Sequence, residues 1–229
     1  MITIESTFNC SQPFDSSGAE MSLSTKPSTT FSQIFSQAIA DHLSVIKSLP
    51  SQQPVLEQIA VEMTRAIVEG RKVLWCGNGG SAADAQHLAA EFVGRFRRER
   101  RGLPSIALTT DTSILTAIAN DYGYDDIFRR QVEAHCVEGD VVVGISTSGN
   151  SKNVCSALKA AREWGAFTVA FTGAGGGALA AIANATLCIA SKDTARVQET
   201  HILCGHMLCD WVELSICERQ VLESETISR

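Results

Sequence analysis

RKVLWCGNGGSAADAQHLAAEFVGRFRRERR, residues 71–101, passes from a short apolar run through a glycine turn into a helical pattern. Val73, Leu74, Trp75 and Cys76 have the length and composition of a strand buried on both faces. The run breaks at Gly77-Asn78-Gly79-Gly80, where glycines permit positive φ and close approach of backbone to a ligand. Ser81 then stands where an N-cap belongs, ahead of the helix formers Ala82, Ala83, Ala85, Leu88, Ala89 and Ala90. Strand, turn and helix start together present free N–H groups and the positive end of a helix dipole, an anion-binding arrangement. Along the helix, Ala85, Leu88, Ala89, Phe92 and Phe96 form an apolar stripe. Asp84, His87, Glu91 and Arg95 share another face at steps of three and four. A His, a carboxylate and an Arg beyond an anion-type turn suit an active-site wall. The same i,i+4 pairs also occur as plain surface links, and the helix alone does not separate the two readings.

The stretch also fits G-x-G-x-x-A at Gly77, Gly79 and Ala82, a weak dinucleotide fingerprint. That reading needs an acidic residue at the end of the next strand, about 20 residues on. The region offers Glu99 inside an Arg-rich helix end, so a dinucleotide site is disfavoured.

The chain of 229 residues, 45% hydrophobic with a net charge of −6, suits one domain with a helical arm and argues against general nucleic-acid binding. No stretch approaches the roughly 18–20 uninterrupted apolar residues of a membrane span. The eight cysteines form no C-x-x-C pair, and several lie in apolar patterns. This predicts buried free thiols and a cytoplasmic protein without disulfides.

Residues 1–30 are rich in Ser and Thr, lack apolar periodicity and read as a disordered tail. No h-region follows a basic start, which excludes a signal peptide. The absence of Arg and the presence of Glu5, Asp15 and Glu20 argue against a transit peptide, and Met21 is a second candidate start. Residues 31–229 form the folded part. Phe31, Ile34, Phe35, Ala38, Ile39, His42, Leu43 and Ile46 recur at helical spacing, as do Val55, Ile59, Met63, Ala66 and Ile67, which end at Gly70. Helices ahead of the first strand cannot be crossovers within a sheet, so they pack on it or on another subunit.

Further strands are predicted at Ser105–Leu108, Val141–Ile145, Phe167–Phe171 and Thr186–Ala190. Helices separate them at Ser113–Asn120, Asp126–Cys136, Lys152–Trp164 and Leu179–Ala183, and a long one runs from about Ala195. This alternation predicts an α/β protein with a parallel sheet and helices on both faces. Ligands of such sheets bind at the carboxyl ends of the strands.

Ser146-Thr147-Ser148-Gly149-Asn150-Ser151 follows one strand and precedes a helix, offering hydroxyl and N–H donors together. A phosphate monoester needs both. No Gly-Lys-Ser/Thr follows, which disfavours nucleotide triphosphate chemistry. An ordinary N-cap needs fewer such residues, so phosphate is the better reading. Asp111 and Asp121 either cap helices or meet substrate hydroxyls. Gly173–Gly177 reads as a connection, and the arginines beyond Arg95 as the solvated end of a helix. On the last helix, Gln198 and His206 lie about 80° apart, two turns along, whereas His201 and His206 diverge by about 140°. A lone His on an apolar helix is commonly a core residue, so His206 alone is a weak signal.

CGNGGSAADAQHLAAEFVGRF, LTAIANDYGYDDIF, GISTSGNS and TARVQETHILCGHMLCDWVE together resemble the sugar isomerase (SIS) domain family, and within it the phosphoheptose isomerases. The resemblance runs from about Phe31 to Glu218. It implies a three-layer α/β/α sandwich on a five-stranded parallel sheet, in a homotetramer whose N- and C-terminal helices form a central bundle. Active sites are then expected at subunit interfaces. It implies Ser81, Ser146, Thr147, Ser148 and Ser151 at the phosphate. Asn78, Gly79, Gly80, Arg95, Asn120, Asp121 and Gln198 would bind the rest of the substrate. Glu91 would be the catalytic base, and His206 from a neighbouring subunit its acid/base partner. His87, Glu91, Gln198 and His206 match positions that hold zinc in some members. Ala195 departs from the pattern, because some members carry Asp there.

The implied reaction converts the ketose sedoheptulose 7-phosphate to D-glycero-D-manno-heptose 7-phosphate through an enediol, supplying a heptose precursor for lipopolysaccharide or glycoprotein. It needs a base to move a proton between neighbouring carbons and a second group to serve the oxygens. Two rivals share the fold: a binding protein of the bacterial replication initiator, and a regulatory sugar-phosphate sensor. Neither calls for Glu91 and His206 together, which discriminates for the enzyme.

Overall fold

The computed structural model describes residues 29–227, with side chains to Arg219. The tail expected over residues 1–30, Met21 included, lies outside the described residues apart from Thr29 and Thr30. Thr30 starts α1 (Phe31–Ser48) with a capping box: the Gln33 amide donates to Thr30 Oγ1 at 3.3 Å, and the Thr30 amide to Gln33 Oε1 at 2.8 Å. A single 3₁₀ turn over Leu49–Gln52 leads into α2 (Gln53–Val68), with Pro54 in its first turn. α2 stops at Gly70, which has φ 74°.

Five parallel strands follow, β1 (Val73–Gly77), β2 (Ser105–Ala107), β3 (Val141–Ser146), β4 (Phe167–Thr172) and β5 (Ala185–Cys188), in the order β2-β1-β3-β4-β5. The intervening helices are α3 (Gly80–Val93), α4 (Thr112–Asp121), α5 (Arg129–His135), α6 (Lys152–Glu163) and α7 (Gly177–Ala180), and α8 (Thr194–Ile227) closes the chain. Alternate strand residues feed two cores. Val73, Trp75, Val143 and Ile145 pack with Ile59, Met63, Leu88, Phe92 and Leu208 of α2, α3 and α8. Leu74, Cys76, Val142 and Ala170 pack with Phe128, Val154 and Leu158 on the other face. This is the expected three-layer sandwich, and it explains why the strands read as continuous apolar runs.

Because β2 and β3 flank β1 on opposite sides, the chain leaves β1 and β3 in opposite directions. A crevice opens between their carboxyl ends, where ligands of such sheets bind. The Gly77–Gly80 and Thr147–Ser151 loops both lie there.

Element ends differ from the sequence expectation by a few residues, with two physical causes. Gly123, at φ 100°, inserts a 3₁₀ turn over Tyr124–Asp126 before α5, and Gly176, at φ 72°, starts α7 early. The seven described cysteines are free thiols, and burial pushes Cys76, Cys204 and Cys209 up to about 12, as core hydrophobes behave. Among the described residues no helix is long and apolar enough to cross a membrane. On α1 only Val45 is buried, and Phe31, Ile34, Phe35, Ile39 and Leu43 are exposed.

Candidate active site

The first loop turns more tightly than its sequence suggests. Gly79, at φ 57°, is the N-cap of α3, and the amides of Ala82 and Ala83 bond its carbonyl at 3.0 and 3.1 Å. Ser81, expected as the cap, therefore lies inside the first turn and is buried. Gly77 permits this, because a Cβ there would sit 2.8 Å from the Ser81 carbonyl oxygen.

In the second loop three hydroxyls converge. Ser146 Oγ lies 2.9 Å from Ser151 Oγ and 3.4 Å from Ser148 Oγ. Ser151 is the N-cap of α6 yet makes no side-chain capping bond, so its hydroxyl faces the other serines instead of its own helix. The Gly173–Gly177 connection buttresses this loop. Gly149, at φ 68°, lies directly against the Gly176 carbonyl, so no side chain fits, and the Ala178 amide donates to Asn150 Oδ1 at 3.0 Å.

A reciprocal amide pair, which the sequence reading missed, ties the two loops together. Asn78 Nδ2 donates to Asn153 Oδ1 at 2.9 Å, and Asn153 Nδ2 donates back to Asn78 Oδ1 at 2.8 Å. Tyr124 OH also donates to Asn78 Oδ1 at 3.0 Å. Most of the Asn78 side chain is thus engaged in holding the crevice together, with one amide hydrogen left for a ligand. Asn153 is buried, and a polar residue within an otherwise apolar helix face was the available signal. Asp111 proves to be a cap, accepting from the Ile114 amide at 2.9 Å. Asn120 and Asp121 end α4, exposed and bonded to each other at 2.8 Å.

The ionisable residues gather further along α3. Glu91 Oε1 lies 3.1 Å from His87 Nε2, and His206 Nε2 lies 3.2 Å from the same nitrogen. Ligand atoms of all three fall within 4.8 Å of one another. The resemblance drew His206 from a neighbouring subunit; within this chain it already meets His87 and Glu91. α3 and α8 lie side by side, and their close approach is made possible by Gly205, where a Cβ would meet Leu88 Cδ2 at 2.5 Å. Burial first, then His87, holds His206 below the ordinary imidazole range, so its neutral form is favoured. One turn before His87, burial pushes Asp84 up to about 6 against the pull of His87, and its Oδ2 is buried without a partner.

Gln198 stands apart from this cluster. Its carboxamide covers Gly80, leaving no room for a side chain there. The seven residues from Gly80 to His87 span about 10 Å of helix. Within one chain Gln198 thus lies over the glycine turn, and three of the four residues expected around zinc meet.

Two readings of the arginine run are corrected. α3 ends at Val93, so Arg95 does not continue the Asp84–His87–Glu91 face; it is exposed, 3.8 Å from Glu99. Arg100 is no solvated end either. Its side chain is 1% exposed, 3.2 Å from the wholly buried Glu213, and donates to the carbonyls of Glu91, Phe92 and Gly94 at 2.8–2.9 Å. Glu213 in turn accepts the amides of Phe96, Arg97 and Arg98 at 2.8 Å each. Burial alone would raise the Glu213 carboxyl, but those amides and Arg100 hold it below the usual range. Asp210 takes Arg97 at 2.9 Å and Arg98 at 2.6 Å. Phe96 lands flat against His206, with ring centroids 5.4 Å apart and planes at 29°. His201 is a core histidine, bonded to the Thr172 carbonyl at 3.1 Å and lowered by burial to about 4.

The SIS domain family model matches residues 35–173. The phosphoheptose isomerase of Aquifex aeolicus (strain VF5) is 56% identical over 187 residues, covering 82% of this chain and 96% of that protein. Among solved structures, the phosphoheptose isomerase of Neisseria gonorrhoeae is 44% identical with a TM-score of 0.76, covering 80% of this chain and 99% of that one. That of Francisella tularensis is 35% identical with a TM-score of 0.79, covering 81% and 100%. Neither the initiator-binding nor the sensor reading is favoured by these relatives. With its five-stranded parallel sheet, its paired serine and glycine loops and this degree of identity, the chain belongs to the phosphoheptose isomerase family of SIS-domain enzymes.

Proposed function

We propose that the chain isomerises sedoheptulose 7-phosphate to D-glycero-D-manno-heptose 7-phosphate, a heptose-precursor step in the cytoplasm. The observation that carries this is the meeting of His87, Glu91 and His206 in a chain of this family. The serine loop takes the phosphate with Ser146, Ser148 and Ser151, aided by Thr147, Ser81 and the α3 N-terminus. The Glu91 carboxylate accepts the proton from C1, giving the enediol, and returns it to C2. His206, held neutral, receives the proton from the hydroxyl on O1 and delivers it to O2. The carbonyl thereby moves from C2 to C1 with no net gain or loss of atoms. Asn120, Asp121, Gln198 and Arg95 are proposed contacts for the remaining hydroxyls.

Two imidazole nitrogens and a carboxylate oxygen within 4.8 Å suit a zinc ion, which His87, Glu91 and His206 would hold. Such an ion would supply polarisation of the substrate carbonyl. The exposed apolar face of α1 supports a homotetramer with a helical bundle between subunits. Light scattering is expected to give a four-chain mass, and a fully active monomer would rule the assembly out.

Assay of the purified protein with sedoheptulose 7-phosphate tests the reaction directly. Ser148→Ala removes one hydroxyl from the phosphate cradle, about 1–3 kcal/mol, and is expected to raise KM by about 5- to 150-fold. Unchanged affinity in that variant would remove the serine loop from the phosphate site.

A further inference from the structure

We propose that Glu213 and Arg100 are positioning residues for catalysis, holding the turn after α3 so that Phe96 keeps the His206 imidazole in place. This rests on the reading of His206 as the acid/base group. Glu213 lies on α8 seven residues beyond His206, two turns along the same helix. Its carboxylate gathers three consecutive amides, those of Phe96, Arg97 and Arg98, at 2.8 Å each. Such a run of backbone N–H groups fixes the turn in one conformation. Phe96 is thereby stacked on His206, its centroid 5.4 Å away.

Arg100 completes the device from the other side. It faces Glu213 at 3.2 Å while one guanidinium nitrogen donates to the carbonyl of Glu91 at 2.8 Å. The other terminal nitrogen reaches the Phe92 and Gly94 carbonyls, closing the end of α3. One buried ion pair therefore links the backbone of the base to the wall of its partner. A wholly buried pair is a weak source of stability, since apolar side chains of similar volume commonly serve as well. Its geometry, with three amides on Glu213 and four carbonyls on Arg100, is what a positioning role requires.

Phe96 is half-buried and packs against the edge of the core, so the replacement chosen for it keeps an apolar side chain there. Phe96→Leu is expected to lower kcat about tenfold, a fraction of a full acid–base contribution, with KM within about twofold because the phosphate cradle is untouched. Phe96→Tyr keeps the ring and is expected to recover most of that loss. Glu213→Gln is expected to lower kcat similarly and, combined with Phe96→Leu, to add little, because both act through one contact. The proposal is overturned if Phe96→Leu keeps its kcat, if Tyr fails to rescue it, or if it acts only on KM. If Glu213→Gln does not fold, the two Phe96 variants still decide the matter. A fully active His206→Ala would instead place the fault in the functional reading.

Discussion

Glu91→Gln is expected to lower kcat by about 10²-fold or more while leaving KM for sedoheptulose 7-phosphate nearly unchanged. Gln matches Glu in shape and still offers an oxygen to His87 Nε2, now 3.1 Å from the carboxylate, so the cluster keeps its frame. What it lacks is a basic site for the carbon-bound proton. The cradle sits at the ends of β1 and β3 and is not altered, which is why the loss belongs in kcat. Steady-state kinetics on the folded, assembled variant checks this. Full activity would leave the proposed isomerisation without its base.

His206→Ala is expected to lose about as much, 10²-fold or more, by removing the group that serves the oxygens. The stricter test mixes the two inactive variants under subunit exchange. The Glu91 and His206 that meet belong to one chain, bridged by His87 at 3.1 and 3.2 Å. Every chain in the mixture then lacks one of the pair, and no activity is expected to return. Recovery after proven exchange would show that the pair acts across subunits, as the resemblance had implied.

The sheet was legible because the central strands β1, β3 and β4 are apolar runs closed by glycine or serine, with neighbours in sequence alternating between two cores. The serine loop stood out by composition: five small polar residues and a glycine exceed what a cap needs. That His87 and Glu91 share one face of α3 followed from helical spacing, while their roles came only with the resemblance. Arg95 does not share that face, because the end of α3 is set by Glu213, a residue 117 positions from Phe96. No local pattern announces a helix terminus captured from so far away, and Arg100 was misjudged with it. Asn153 escaped notice because its partner Asn78 is 75 residues distant. Gln198 was paired with His206 by its spacing on α8 and by resemblance, and the structure sets its carboxamide over Gly80.

Gly205 carries a lesson for anyone who would engineer this chain. Replacing helical glycines with alanine is a standard route to a more heat-resistant protein, gaining up to about 1 kcal/mol per position. At 205 the added methyl would press on Leu88 at 2.5–2.6 Å, a buried side chain that has little freedom to yield. α8 would shift outward, and His206, the next residue, would travel with it. The spacing of the reactive groups is therefore set by a side chain that is missing, and a thermostability screen that ignored turnover would remove it first.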